Sequence, residues 1–227
     1  MRLFNKKNDK KNDKKIEIYE PDSRDKYLET IEFTYLYSMF ELFKTVENIP
    51  GHIVELGVGA GRNAIVLGNL LKLNSQHGNS KYFGFDTFES YTERDLNNHK
   101  ELSRERWSNN SKSFVDDRIK KLNLQDTCFT VEGDIVESLP EFLKSPNSRF
   151  SSTGFYCRLI YIDTSAYEPA KLSIEVLFEY LVPGGILAID QKKQGGEWKA
   201  LVEFATENNL ELVTTSKYNS TPAYIIK

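Results

Sequence analysis

The sequence predicts an α/β protein of the Rossmann-like type, with a seven-stranded, mostly parallel sheet and helices on both faces. Three observations support this fold class. Short apolar runs alternate with segments of helical periodicity, the first apolar run ends in a glycine-rich turn, and the length of 227 residues suits one domain. Repeated strand–helix units of this kind form parallel sheets, in which both faces are buried.

The predicted elements follow from the changes in hydrophobic period along the chain. The predicted strands are Ile53 to Leu56, Tyr82 to Phe85, Cys128 to Val131, Arg158 to Ile162, Ile186 to Ile189, Leu210 to Thr214 and Ala223 to Ile226. The predicted helices are Tyr27 to Val46, Arg62 to Lys72, Ser111 to Leu122, Val136 to Leu143, Ala170 to Leu181 and Trp198 to Asn208. The last two strands are expected to form an antiparallel pair. The first helix is expected to cover the sheet or to close over a ligand site.

The N-terminal segment differs in composition from the rest of the chain. Lys6 to Lys15 reads KKNDKKNDKK, which has no apolar residue and alternating charge. We therefore expect residues 1–20 to form a flexible basic and polar arm. Residues 21–227 are expected to form a single domain, with its N-terminal helix over the site.

Overall composition excludes several classes of partner. A net charge of −3 gives no general attraction to nucleic acid, and no apolar run approaches the roughly 20 residues of a spanning helix. No apolar stretch follows the basic N-terminus, as a secretory signal would require. Cys128 and Cys157 match no metal-binding spacing and indicate free thiols. We expect a cytoplasmic protein that binds neither nucleic acid nor membrane, and a homo-oligomer is left open.

The first predicted strand leads through a glycine-rich turn into a helix. Gly57 permits the tight bend, and Gly59 and Gly61 let a ligand approach the backbone closely. The spacing is GxGxG, whereas the dinucleotide fingerprint is GxGxxG. Glu55 also places an acid beside the position that a pyrophosphate would occupy. The turn therefore favours a cationic or zwitterionic ligand, such as S-adenosylmethionine, over a dinucleotide.

Acidic residues end the next two strands, where ligands of such sheets bind. Asp86 lies about 30 residues after the glycine turn and can accept hydrogen bonds from two ribose hydroxyls. Asp134 follows the third strand. It could accept from an adenine amino group, or cap the helix that starts at Val136, or do both.

The fourth and fifth strands end in further oxygen donors. Asp163 follows one strand, and Asp190 and Gln191 follow the other. If these strands are neighbours, two carboxylates and an amide meet at one edge of the sheet, which is a donor set suited to Mg²⁺. The alternative is that Asp163 only closes the site and Asp190 caps a turn.

His99 lies in the long polar segment after the second strand, which can fold over the site. Of the three histidines, it is the one we consider as a general base. A solvated loop histidine is the alternative.

Together these residues resemble the macrocin O-methyltransferase family, whose members methylate deoxysugar hydroxyls with S-adenosylmethionine and Mg²⁺. The resemblance covers about Phe33 to Lys227 and rests on IPGHIVELGVGAGRNA, GFDTFESY, VEGDIVESLP, LIYIDTSAYEPA and LVPGGILAIDQ. The resemblance assigns the methionine part of the cofactor to Glu55, Gly57, Gly59 and Gly61, the ribose to Asp86 and Thr87, and the adenine to Asp134. The last two segments look like the family's metal-bearing strand ends.

Two departures from the family pattern concern the metal. Ser165 stands where the family usually has a second acid, and Asp190-Gln191 stands where it usually has paired acids. The set Asp163, Asp190 and Gln191 also looks like the Asp, Asp, Asn set of catechol O-methyltransferases.

The resemblance implies an S-adenosylmethionine-dependent O-methyltransferase, assisted by Mg²⁺, that acts on a hydroxyl of a sugar or another small molecule. Asp163 and His99 would then lie near the reacting oxygen. The alternatives are a non-catalytic S-adenosylmethionine-binding module and an NAD-dependent oxidoreductase. The glycine spacing and Glu55 disfavour the oxidoreductase.

Overall fold

A computed structural model describes residues 30–74, 78–144, 154–190, 195–214 and 222–227. The predicted arm at residues 1–20 and the predicted metal ligand Gln191 lie outside the described residues.

The described residues form alternating strands and helices, as the hydrophobic pattern predicts. The strands are β1 (His52–Leu56), β2 (Tyr82–Asp86), β3 (Cys128–Glu132), β4 (Cys157–Ile162), β5 (Leu181–Ile189), β6 (Val213–Thr214) and β7 (Ala223–Ile226). The helices are α1 (Thr30–Val46), α2 (Arg62–Leu73), α3 (Glu93–Asn98), α4 (Lys112–Lys121), α5 (Ile135–Lys144), α6 (Tyr167–Leu177) and α7 (Gly195–Glu207). A short 3₁₀ turn, Phe178–Tyr180, links α6 to β5.

The strand order is β3-β2-β1-β4-β5-β7-β6. The first five strands in this order are parallel, and β7 pairs antiparallel with both β5 and β6. Among the described residues six strands have four residues or more, whereas the edge strand β6 has two. The predicted α/β class, the mostly parallel sheet and the C-terminal antiparallel pair are confirmed.

The sheet has a core on each face because successive strand residues point to opposite sides. On one face Ile53, Leu159 and Tyr161 pack with residues of α1, α2 and α4. On the other face Val54 and Ile160 pack with residues of α5, α6 and α7. This double burial explains why the strands read as continuous apolar runs.

The structure shifts several predicted boundaries, most clearly where α6 ends and β5 begins. The predicted helix Ala170 to Leu181 begins earlier, at Tyr167, and ends at Leu177. Leu181 instead opens β5, because it pairs with Cys157 at the start of β4. Pairing with the neighbouring strand overrides the helical period here.

The carboxyl ends of the central strands lie together at one edge of the sheet. Backbone hydrogen bonds of 2.8–3.0 Å extend the pairing one residue past the strands, from the N–H of Gly57 to Phe85, of Asp163 to Leu56, and of Asp190 to Ile162. This edge is where ligands bind in open parallel sheets. In the described part of the chain, no helix is long and apolar enough to cross a membrane.

Candidate active site

A cavity of about 270 Å³ opens at the carboxyl ends of β1, β2 and β4. Residues 87–111, which connect β2 to α4 and which we call the covering segment, supply part of its wall. The lining residues include Tyr35, Gly57, Gly59, Arg62, Asn63, Asp86, Thr87, Tyr91, Asp95, Trp107, Asp134 and Asp163. Three strand ends and the covering segment therefore converge on one site.

The glycine turn is shaped by close contact between neighbouring elements. Gly57 has φ +92°, and a Cβ there would overlap the carbonyl oxygen of Asp163. Gly61 has φ +80° at the N-cap of α2, and a Cβ there would lie 2.8 Å from Val115. Gly57 and Gly59 line the cavity, as predicted, whereas Gly61 fits the turn against α4 and is not part of the lining.

Asp86 lies in the cavity wall at the end of β2, with its carboxylate already oriented by backbone groups. Its Oδ2 accepts from the N–H of Gly59 at 2.8 Å, and its Oδ1 accepts from the N–H of Phe88 at 2.7 Å. A carboxylate offers about four acceptor positions, so two remain for a ligand with paired hydroxyls. Thr87 also lines the cavity, but its hydroxyl donates to the carbonyl oxygen of Ser90 at 2.6 Å.

Glu55 lies beneath the glycine turn, and the cavity lining does not include it. It is 0% exposed, and its carboxylate accepts from the Tyr82 hydroxyl and from Asn63 Nδ2. Burial raises the pKa of Glu55 to about 8, while these two hydrogen bonds act in the opposite direction. Asn63, which lines the cavity, donates to Glu55, and direct binding of the cofactor by Glu55 stays a prediction.

Asp134 lies in the cavity wall and caps α5. Its Oδ1 accepts from the N–H of Val136 at 3.1 Å, which is the capping role considered above. Arg94 of α3 also donates to both carboxylate oxygens, at 2.8 and 3.1 Å. The same guanidinium pairs with Asp95 at 3.1 Å. Sequence reasoning missed Arg94, because nothing along the chain indicates that α3 reaches the start of α5.

Asp163 and Asp190 end neighbouring strands, as predicted. The pKa of Asp163 is raised to about 8, first by burial and then by the nearby charge of Asp190, while Arg62 and Arg106 act in the opposite direction. Asp190 Oδ1 accepts from the Tyr161 hydroxyl at 2.6 Å. Asp163 thus lines the cavity, and Asp190 lies close enough on the next strand for the two charges to interact.

The donor set partly fits a divalent cation. Asp163 and Asp190 are hard oxygen donors at adjacent positions, and a cation would relieve their mutual repulsion. One oxygen of Asp190 is engaged by Tyr161, and Gln191 lies outside the described residues. Within the described ranges, no three His, Cys, Asp or Glu side chains form a group able to hold a metal. Magnesium therefore stays a prediction.

An aromatic and cationic pair forms another part of the wall. The Arg62 guanidinium lies 3.4 Å from the centre of the Tyr35 ring, at the start of α2. Across the turn, the ring of Trp107 lies in van der Waals range of a Cβ built on Gly59. Trp107 is 46% exposed, so the covering segment places an aromatic ring between the glycine turn and solvent.

His99 does not line the cavity. Its Nε2 lies 2.9 Å from Glu168 Oε2 and 3.1 Å from the backbone nitrogen of Tyr167, and its Nδ1 lies 3.4 Å from Glu101. These contacts tie the end of α3 to the start of α6. The structure therefore gives His99 a tethering position, and the proposed role as general base is without support from its placement.

Several lining residues were missed by sequence reasoning. Arg62 directly follows the glycine turn, so its position was a usable signal, and Trp107 stands out as a tryptophan in a polar segment. Tyr35 depends on how α1 docks, which no local pattern specifies. In α1, Met39 and Phe43 belong to the core on one face of the sheet, and Tyr35 lines the cavity.

The fold and the cavity define a Rossmann-like protein with a cavity at the carboxyl edge of its sheet, lined by acids and a glycine turn. The chain belongs to the family described as a methyltransferase domain, whose model matches residues 54–191. A search of curated protein sequences found no match. The narrower resemblance to the macrocin O-methyltransferases stays a prediction.

Solved structures of methyltransferases have similar folds. CalS11, a calicheamicin methyltransferase, is 23% identical, with a TM-score of 0.75, and the match covers 90% of this chain and 82% of that chain. An apo structure of CalS11, described as a TDP-rhamnose 3′-O-methyltransferase, is 25% identical at a TM-score of 0.67, covering 90% and 83%. The O-methyltransferase NovP is 19% identical at 0.71, covering 87% and 81%.

A solved structure of lower sequence identity contains the demethylated form of the cofactor. An O-methyltransferase from Bacillus cereus, in complex with S-adenosylhomocysteine (SAH), is 12% identical, with a TM-score of 0.56 and coverage of 93% and 94%. Family membership makes this protein an S-adenosylmethionine-dependent methyltransferase.

Proposed function

We propose that the protein transfers the methyl group to a hydroxyl oxygen of a small molecule, with a sugar hydroxyl as the first choice. The observation that carries this proposal is the continuity of the cavity from the glycine turn and Asp86 to Asp163, Tyr35 and Arg62. Residues suited to the cofactor and residues suited to a polar acceptor therefore line the same cavity. The match to CalS11, which is described as acting on TDP-rhamnose, supports a sugar acceptor.

The cofactor would lie along the strand ends, with its ribose, adenine and methionine parts beside different residues of the cavity wall. The free acceptor positions of Asp86 suit the ribose hydroxyls, and the Asp134 carboxylate suits the adenine amino group. The backbone of Gly57 and Gly59 borders the methionine part. S-adenosylmethionine supplies a methyl group on a sulfonium, a leaving group that departs as neutral SAH.

The residues of the chain would orient the acceptor and take up its proton. Methyl transfer is an in-line displacement, so the acceptor oxygen must lie opposite the breaking carbon–sulfur bond. Asp163 follows β4, next to the glycine turn, and its carboxylate would accept the hydroxyl proton as the new carbon–oxygen bond forms. The Arg62 guanidinium, which stacks on the Tyr35 ring, would donate to the rest of the acceptor.

A more specific part of the proposal is that the site binds Mg²⁺. Asp163 and Asp190, with Gln191, would hold the ion, and the ion would lower the proton affinity of the acceptor hydroxyl. Chelation is expected to stop turnover, and added Mg²⁺ or Mn²⁺ is expected to restore it at relatively high concentration, because an amide replaces a third acid. Full turnover in excess chelator would exclude the metal.

The test of the function is a screen with methyl-labelled cofactor. Pools of free deoxysugars, glycosides and nucleotide-linked deoxysugars are incubated with the protein, and labelled products are identified by mass spectrometry and NMR. The proposal expects an O-methyl ether on a small-molecule hydroxyl. An N-methyl or C-methyl product would contradict it. SAH binding with no transfer to any pool would favour the non-catalytic binding module, and tighter binding of NADH than of SAH would favour the oxidoreductase.

A further inference from the structure

The loop that joins β4 to α6 contains a residue with an unusual backbone conformation. Ser165 has φ +58°, in the left-handed region that residues other than glycine rarely adopt. Asn123 and Asn209 also have positive φ, but each follows a helix, where such a residue is common. Ser165 instead lies two residues after Asp163, which lines the cavity. A conformation of this kind persists only where neighbouring groups hold it, and such residues cluster at functional sites.

The group that holds Ser165 comes from α7. Glu197 Oε1 accepts from the N–H of Ser165, and Glu197 is 1% exposed. Glu197 lies in the first turn of α7, where the helix dipole favours an acid. Gly196 lets this turn come close, because a Cβ there would overlap the backbone nitrogen of Tyr167. The start of α7 therefore packs directly against the loop between β4 and α6.

A second loop of the cavity wall has a similar arrangement. Phe88 has φ +55°, and its N–H donates to Asp86 Oδ1 at 2.7 Å. In both loops, a carboxylate accepts from the N–H of a left-handed residue that lies two positions after an acid of the cavity wall. At Phe88 the acid of the wall itself supplies the carboxylate, whereas at Ser165 the carboxylate comes from Glu197. The loop after β4 therefore does not need the carboxylate of Asp163 to hold its backbone.

We propose that Glu197 is a positioning residue for methyl transfer, which holds the backbone of Ser165 so that Asp163 keeps its carboxylate for the acceptor hydroxyl. In the proposed function, on which this inference rests, Asp163 takes the proton of that hydroxyl. The N–H of Asp163 donates to the carbonyl oxygen of Leu56 at 2.8 Å, which fixes the other end of the loop. Glu197 is not part of the cavity lining and acts through the loop, without touching the acceptor.

The first test compares two uncharged side chains of similar volume. Glu197→Gln keeps an oxygen that can accept from the N–H of Ser165, whereas Glu197→Leu has no acceptor. Label transfer from methyl-labelled S-adenosylmethionine to the deoxysugar pools is measured as an initial rate, and SAH affinity by calorimetry. Glu197→Leu is expected to lose at least about tenfold in rate, and Glu197→Gln less than about threefold, because a small misplacement of a reacting group slows transfer strongly. SAH affinity is expected to change by less than about threefold in both, under one hydrogen bond.

The second test asks whether Glu197 acts through the backbone of Ser165. Glycine adopts positive φ readily, so Ser165→Gly lets the loop keep its form without the hydrogen bond from α7. The loss of rate caused by Glu197→Leu is expected to shrink from at least about tenfold in wild type to less than about threefold in the Ser165→Gly background, as for coupled residues in a double-mutant cycle. An equal loss in both backgrounds would overturn the proposal, and so would a Glu197→Leu protein that keeps the wild-type rate.

The control lies on the same helix. Glu207 is exposed at the end of α7, so Glu207→Leu is expected to keep the wild-type rate and SAH affinity. Urea denaturation checks that each variant is folded, and Glu197→Ala, which adds no bulk, replaces Glu197→Leu if the latter does not fold. Equal losses of rate and SAH affinity in a folded variant would show a structural role only.

The Asp163→Asn variant separates this inference from the proposed function. If Asp163→Asn keeps the wild-type rate, or if wild-type protein transfers label to no pool, the proposed function and this inference are both wrong. If Asp163→Asn lowers the rate and Glu197→Leu does not, only the positioning role of Glu197 is wrong.

Discussion

The cavity has a proposed cofactor half and a proposed acceptor half, which are organised in different ways. The cofactor half is lined by Gly57, Gly59, Asp86 and Asp134, and the acceptor half by Tyr35, Arg62, Asp163 and Trp107. In the cofactor half, Asp86 and Asp134 each accept from a backbone N–H, and Arg94 holds Asp134 as well. In the acceptor half, the pKa of Asp163 is set mainly by burial and by the charges of Asp190 and two arginines.

This difference shows which part of the site is fixed before a ligand arrives. Hydrogen bonds from the main chain orient the acids of the cofactor half, so their spare acceptor positions point into the cavity in advance. The acceptor half brings together side chains from α1, α2, β4 and the covering segment, namely Tyr35, Arg62, Asp163 and Trp107. Substitutions there should affect turnover more than cofactor binding.

The largest effect is expected at the turn that joins the two halves. In Gly57→Ala, the added Cβ would overlap the backbone of Asp163, and φ +92° disfavours a side chain. We expect a loss of about 3 kcal/mol or more in unfolding free energy and no measurable SAH binding. Gly78→Ala is the control, since among the described residues no atom lies within 4 Å of a Cβ built at Gly78. Urea denaturation checks both, and a Gly57→Ala protein of normal stability would disprove the tight packing.

Asp163 should separate chemistry from cofactor binding. Asp163→Asn keeps the shape and removes the proton acceptor, so turnover should fall about 100-fold or more, the usual effect of a general base. SAH affinity should change by less than about threefold, well below the tenfold step of 1.4 kcal/mol. Steady-state kinetics and calorimetry measure the two quantities. A parallel loss in both would mean that Asp163 belongs to the cofactor half.

The pH dependence of stability should reveal the buried acid beneath the cofactor half. The pKa of Glu55 is raised to about 8 by burial, so its proton stabilises the fold below the ordinary glutamate pKa, and this contribution is lost as pH rises through about 8. Glu55→Gln removes that dependence. The variant should therefore gain stability relative to wild type between pH 6 and pH 9 in urea titrations. A difference that stays constant with pH would show that Glu55 is ionised throughout.

His99 should give the smallest effect. Its ring contacts Glu168 and the backbone of Tyr167 and does not reach the cavity. His99→Gln should therefore lower turnover by less than about tenfold, a change of under 1.4 kcal/mol. A loss of 100-fold or more, with a shifted pH–rate profile, would restore His99 as the general base.

The sequence predicts the cofactor half better than the acceptor half for a physical reason. Glycines and acids at strand ends follow from local periodicity, and four of them, Gly57, Gly59, Asp86 and Asp134, line the cavity. Glu55 does not line the cavity, because strand alternation points its side chain into the face that α2 covers, where Asn63 and Tyr82 donate hydrogen bonds to it.

The acceptor half depends on contacts between distant segments. Tyr35 reaches the cavity through the docking of α1, and Trp107 through the path of the covering segment. Helix α3 has only six residues, and its Arg94 pairs across 40 positions with Asp134. Such pairings leave no periodic pattern in the sequence, so they required the three-dimensional structure.

The central claim is that the cofactor binds in this cavity with its ribose on Asp86, and calorimetry with SAH tests it most directly. Asp86→Ala should weaken SAH binding at least tenfold, about 1.4 kcal/mol or more, because it removes a charged acceptor. Asp86→Asn tests whether the Gly59 contact alone explains the loss, since an amide oxygen can still accept from that N–H. The account predicts weaker binding in both variants. Wild-type affinity in a folded Asp86→Ala protein would contradict it.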